Sequence, residues 1–219
     1  MNIAIFAVQI ILQLFSLRYF FKLGQVALGA FVVLEAVLAN LFVLKQITLF
    51  GLSVTASDSF IIGSLIGLSL YQENYGKDEA KKLGLLTFAS LFFVALASLV
   101  HLRLIPDSVD TSQKHYHYLL STTPRLIIGS LGAYFLSSRI DIITFSFLKK
   151  TFHNVPFAWR TLISTSLAQA VDTVAFSFFA LLGIVDNLLH IIIFSFVIKL
   201  LCLFSYLILQ PIVLTRKQA

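Results

Sequence analysis

The 219-residue chain has one cysteine, Cys202, so no intramolecular disulfide and no cysteine-based metal site is open to it. Charge is equally scarce. Asp, Glu, Lys and Arg make up 12% of residues, half the ~25% of a soluble domain. That is too little charge to coat a water-soluble globule, which excludes a soluble enzyme, a nucleic-acid-binding domain and a disordered chain. HExxH, GxSxG and P-loop signatures are missing, so zinc-protease, serine-hydrolase and self-contained ATPase chemistry have no motif here. His101 and His190 fall near the ends of apolar runs with no serine nucleophile on an obvious partner helix. No internal repeat or low-complexity stretch stands out.

What is present is apolar surface. Hydrophobic residues reach 58% and the mean hydropathy is +0.94, against the ~45–50% apolar content of soluble domains. The excess runs the whole length, which predicts one polytopic membrane domain over residues 1–219. Seven apolar stretches are candidate spans: Ile3–Leu17, Leu23–Leu44, Phe50–Gln72, Leu83–Ile105, Leu119–Ser138, Thr161–Val185 and Leu188–Gln210. They are continuous, not the alternating ~10-residue segments of an outer-membrane barrel. Helices satisfy their own backbone, as hydrocarbon demands. The expected fold is therefore all-α, a bundle of seven transmembrane helices. The first stretch has no basic residues before it, no small-residue cleavage site after it, and Arg18 and Lys22 on its far flank. It reads as an uncleaved span, not a signal peptide.

The net charge of +6 fits cytoplasmic loops enriched in Lys and Arg. Connections on one side carry Arg18, Lys22, Lys77, Lys81, Lys82, Arg139, Lys149, Lys150, Arg160, Arg216 and Lys217. The other side carries only Lys45, Arg103 and Lys114. The bias puts the N-terminus outside and the C-terminus in the cytoplasm. The long connection Arg139–Arg160 mixes Ile140, Ile143, Phe145, Phe147, Leu148 and Phe152 with Lys149 and Lys150. Pro156 and Trp159 close it, and it reads as a short interfacial helix. His115 and His117 stand at i, i+2 in a polar outer loop, which reads as solvated chain and not as a metal site.

A charge at mid-span costs about 2.5–3.5 kcal/mol and is a functional hypothesis by default. Glu35, Asp58, Arg125, Asp172 and Lys199 lie in five different predicted spans. The sixth span carries Thr165, Gln169, Asp172, Thr173 and Phe176 at i, i+4, i+7, i+8 and i+11, a stripe along one helix face. Ser195, Lys199, Cys202 and Tyr206 make a weaker stripe on the seventh. Gly63 and Gly67 form a GxxxG, and Gly129, Ala133 and Ser137 recur at four-residue steps, which marks close helix packing. On residues alone the chain is a small polytopic protein with a polar, charged interior. A transporter ranks first, an intramembrane enzyme with Asp172 as acid or base second, and an assembly subunit third.

Four blocks of residues resemble the queuosine precursor transporter family. They are Leu38-Ala39-Asn40-Leu41-Phe42-Val43-Leu44-Lys45 with Leu49-Phe50-Gly51-Leu52; Glu73-Asn74-Tyr75-Gly76-Lys77 with Ala80; Pro124-Arg125 with Ala133-Tyr134, Asp141 and Phe145; and Trp159-Arg160 with Ser164-Thr165, Gln169 and Asp172. The blocks fall in order over nearly the whole chain. Departures are Ser69, where the family usually has Asp, Asp58 in place of an amide, and Ser138 in place of Gln.

The resemblance implies a carrier that imports 7-deazaguanine bases for tRNA modification: 7-cyano-7-deazaguanine, 7-aminomethyl-7-deazaguanine or queuine. It also implies a six-helix core with the first span as an addition, a purine-like small-molecule substrate, and no enzyme activity, cofactor, metal or direct nucleic-acid contact. A second copy of the chain or an energising subunit stays open as a partner. A carboxylate can accept the base's N1–H and 2-amino group together, a role for Asp172 or Glu35. Gln169, Asn40 or Arg125 can address O6. Phe176 and Tyr134 are candidates for stacking on the ring, and Lys199 completes the substrate set. Glu73, Asp58 and Asp141 are the candidates for ion coupling or a gate. A carrier for another flat heterocycle or vitamin is the alternative in the same class.

Overall fold

A computed structural model of the chain describes residues 2–42, 45–49, 52–120, 124–152, 154–182 and 188–214. Long apolar runs become helices. These are α1 (Asn2–Lys22), α2 (Gln25–Leu41), α3 (Asp58–Tyr75), α4 (Lys77–His101), the short α5 (Gln113–Leu120), α6 (Pro124–Thr151), α7 (Phe157–Phe176) and α8 (Leu188–Leu214). A π-helical turn, Ser177–Leu181, continues α7. The fold is an all-α multi-pass bundle, as the hydropathy predicts.

Two junctions are short because glycine permits them. Gly24 (φ 104°) separates α1 from α2, and Gly76 (φ 93°) separates α3 from α4. Both sit in a backbone region that side chains with a Cβ rarely adopt.

By length and apolarity, Asn2–Lys22, Lys77–His101, Ile128–Thr151 and Phe157–Ala180 can each cross a membrane, and Gln25–Leu41 and Ile192–Ser205 are shorter apolar helices. On α1, Phe6, Ile10, Leu14 and Leu17 are buried, while Val8, Leu12 and Phe15 point outward at 60% exposure or more. Such an apolar outer surface suits lipid.

Helix α3 is the axis of the bundle. It packs against α1, α2, α4, α6, α7 and α8, and every residue over 62–72 is buried. A helix surrounded on all sides needs small residues to let its neighbours close in. A Cβ built on Gly67 would come within 2.8 Å of Val32 Cγ2. Gly129 on α6 lies as close to Ala180 in the π-helical turn, where a Cβ would stand 2.8 Å from the alanine Cβ and 3.1 Å from its backbone nitrogen. Gly67 and Gly129, members of the small-residue steps read from the sequence, are contact points between helices.

Three expectations need correction. The apolar stretch predicted to span from Phe50 holds instead an antiparallel hairpin, β1 (Gln46–Leu49) with β2 (Leu52–Thr55), with Gln46 opposite Thr55 and Leu49 opposite Leu52. Ile47, Thr48, Val54 and Thr55 are β-branched and favour extended backbone. Asp58 consequently opens α3 and is not mid-span.

The separate interfacial helix after Arg139 is absent. Helix α6 runs unbroken through Thr151, because no Gly or Pro occurs between Gly132 and Pro156. Its 28 residues span about 42 Å, longer than ~30 Å of hydrocarbon. At its other end the fifth span begins at Pro124, and Leu119 belongs to α5.

Candidate functional site

The polar residues of α7 fall on one face, and the fold turns that face inward. Thr165, Gln169, Asp172 and Thr173 are all buried. They look toward α6, α3 and α8, and together these helices carry a polar seam in tiers.

In the first tier Lys199 Nζ of α8 lies 2.7 Å from Asp172 Oδ2 and donates to Thr173 Oγ1 at 3.3 Å. Ser137 Oγ of α6 reaches Asp172 Oδ1 at 3.5 Å. Asp58, at the head of α3, also acts on Lys199 electrostatically. Two opposite charges from neighbouring helices thus neutralise each other inside the bundle.

In the second tier Asp141 of α6, fully buried, accepts from Ser69 Oγ of α3 at 3.0 Å and from Thr165 Oγ1 of α7 at 3.1 Å. In the third, at the shared ends of α3, α6 and α7, Glu73 meets two cations. Arg160 binds Oε1 at 3.0 Å. Lys149 lies 3.1 Å from Oε2 and donates to the Glu73 carbonyl at 2.9 Å. Arg160 also covers the Phe145 ring, 5.5 Å from its centroid. On α6 the seam reads Ser137, Asp141, Phe145, Lys149, a four-residue step that holds one helix face.

Between the first two tiers sits Gln169. It is fully buried, and neither its amide nitrogen nor its amide oxygen has a hydrogen-bond partner among the described residues. Leaving a buried amide unpaired costs about 1–3 kcal/mol for each unmet group. Buried polar groups are nearly always paired, so the unpaired Gln169 amide is an exception within the seam.

The other predicted residues are engaged elsewhere. Glu35 of α2 accepts from Gln13 Nε2 of α1 at 3.0 Å. Asn40 accepts from Ser130 Oγ at 2.6 Å and donates to the Ala36 carbonyl. The Tyr134 ring is buried with Ala36, Leu91 and Leu131, and its hydroxyl lies 3.4 Å from Ser64 Oγ. Phe176 is half-buried at the end of α7. The side chain of Arg125 lies outside the described residues. The five charges predicted at mid-span therefore do not gather in one cluster. Asp172 and Lys199 pair directly, while Glu35 joins α1 to α2.

Sequence reasoning passed over Gln13, which sits in an otherwise apolar helix, treated Lys149 only as flanking charge, and gave Arg160 no site role beyond its place in a family block. The four-residue step through Ser137, Asp141 and Lys149 was the available signal for the seam.

A family model described as "Putative vitamin uptake transporter" matches residues 55–214. A protein of Bacillus subtilis (strain 168), "Probable queuosine precursor transporter", is 31% identical over 186 residues, covering 84% of this chain and 81% of that protein. No solved structure matches.

Proposed function

The chain belongs to the vitamin uptake transporter family of multi-pass membrane carriers, and from that premise we propose that it imports 7-deazaguanine bases, the precursors of queuosine in tRNA. The observation that carries this reading is the buried Gln169 amide, unpartnered among the described residues, one turn from Asp172. The relative's printed name gives the cargo class.

The chemistry of the base suits those groups. A deazaguanine presents N1–H and a 2-amino group side by side, with the O6 acceptor next to them. A carboxylate has about four lone-pair positions. Lys199 and Ser137 approach one oxygen each of Asp172, which leaves acceptor capacity for the N1–H and 2-amino pair. Gln169 donates to O6. Lys199, 2.7 Å from Asp172, offsets its charge, so a neutral base meets a paired carboxylate. Phe176 offers a ring face for stacking. Adenine has no N1–H, so it would leave buried acceptors unmet and be rejected.

In this reading the Lys- and Arg-rich ends, with Glu73, Lys149 and Arg160 among them, face the cytoplasm of the inner membrane. The hairpin and the N-terminus face outward.

The test is rescue. The chain is expressed in a bacterium that cannot make queuosine precursors and has no importer of its own, and queuosine in tRNA is measured while 7-cyano-7-deazaguanine, 7-aminomethyl-7-deazaguanine or queuine is supplied. Restoration by at least one base is expected. If none restores it while the protein is present in the membrane, the cargo assignment fails.

A further inference from the structure

We propose that Asp141, held between Ser69 and Thr165, is a proton-binding site that couples cargo movement to a pH gradient. The proposal rests on the carrier reading but does not depend on which base is carried.

Asp141 differs from the other acids of the seam. Glu73 faces Lys149 and Arg160, and Asp172 faces Lys199. Asp141 is fully buried, and among the described residues its hydrogen-bond partners are hydroxyls: Ser69 on Oδ2, Thr165 on Oδ1, and Ser164 beside them. A carboxylate in a membrane-embedded interior with no counter-charge is costly. Binding one cation relieves that cost. Hydroxyls already stand within 3.0 and 3.1 Å of its two oxygens, and a proton needs no added volume, so a proton fits where a metal ion would have to displace them.

The hydroxyls also make the site reversible. Each carries one donor and two lone pairs. Facing a carboxylate they donate; facing the protonated acid one of them rotates and accepts. Both charge states are hydrogen-bonded with the heavy atoms in place, as a group that loads and unloads requires.

The charged groups on the elements packed against α6 do not stand in for the proton. On α3, Asp58 is at the far end and Glu73 is paired. On α7, Arg160 belongs to the Glu73 cluster and Asp172 to Lys199. On α4, Asp78 and Glu79 pair with Lys81 and Lys82 at the helix start, where Lys77 also lies, and His101 is at the opposite end. On α6 itself, Arg139 lies over the Phe135 ring and Tyr134 meets Ser64, with Lys149 and Lys150 in the last turn. The π-helical turn carries no ionisable residue.

Two measurements test the site. Infrared titration of the purified full-length protein, without cargo, should show a protonated-carboxyl band that responds to pH and is missing in Asp141→Asn. Ser69→Ala and Thr165→Val should shift it. A wild-type spectrum with no such titrating band, or one that Asp141→Asn keeps, overturns the proposal even if other variants fold poorly.

The second measurement uses proteoliposomes and 7-cyano-7-deazaguanine as the probe. An acid-outside gradient should drive accumulation of about tenfold per pH unit for one proton per base. Asp141→Asn should lose this accumulation while retaining cargo exchange at equal pH. Accumulation on a sodium gradient alone, or unchanged pH-driven accumulation in Asp141→Asn, overturns it. If the wild type exchanges neither this probe nor 7-aminomethyl-7-deazaguanine or queuine supplied in its place, it is the cargo assignment that has failed, and the infrared titration still decides Asp141.

Discussion

The ammonium of Lys199 on α8 stands 2.7 Å from the carboxylate of Asp172 on α7, with the two side chains only 8% and 11% exposed. A buried pair of this kind ties two helices together at a depth where neither charge has water to fall back on. Its net worth against an apolar pair is small, but losing one partner is severe.

Lys199→Met alone should therefore lower stability by about 3–5 kcal/mol, because it leaves Asp172 buried and unpaired. The double variant Asp172→Leu with Lys199→Met should recover most of that loss, yet carry no cargo. Asp172→Ala should abolish uptake while the protein stays in the membrane. Thermal unfolding in detergent and uptake by whole cells read both quantities. Normal uptake by the double variant would leave the pair a structural tie only.

Gln169→Leu should separate stability from transport in the opposite sense. The amide has no partner among the described residues, so removing it costs the protein no bond and should stabilise it by up to about 1–3 kcal/mol. Uptake should fall steeply. A variant that unfolds earlier, or transports normally, would show that Gln169 does not wait for cargo.

At the Glu73 junction the two cations should contribute unequally. Arg160 is 10% exposed at its side chain and Lys149 is 40%. Glu73→Ala strands the guanidinium and should cost about 1.5–3 kcal/mol. Lys149→Ala removes a charge that water already screens and should cost less than about 1 kcal/mol. Unfolding of the two single variants gives the comparison.

Packing predicts a further order. An alanine Cβ at Gly129 meets the Ala180 backbone at 3.1 and 3.2 Å, whereas at Gly67 its close neighbour is the tip of the Val32 side chain. Backbone yields less than a side-chain methyl. Gly129→Ala should cost about 1–3 kcal/mol and Gly67→Ala less, as read by unfolding temperature.

Much of this protein was determined by local sequence. Runs such as residues 83–101 read directly as membrane helices, since hydropathy and the 3.6-residue period act over a few turns. The stripe Thr165, Gln169, Asp172, Thr173 is likewise a property of one helix, and the structure buries all four. The β-branched hairpin at residues 46–55 escaped because short apolar strands and apolar helices look alike by composition.

Tertiary structure decided the partners. Asp172 could have met any buried base, and helix rotation brought Lys199 to it. Asp141 met Ser69, 72 residues earlier, and Glu35 met Gln13. Lipid is as apolar as a bundle interior, so hydrophobicity does not say which face of a membrane helix turns inward. Depth and rotation are fixed instead by where neighbouring helices fit, as at Gly67 and Gly129, and that is a relation between distant parts of the chain.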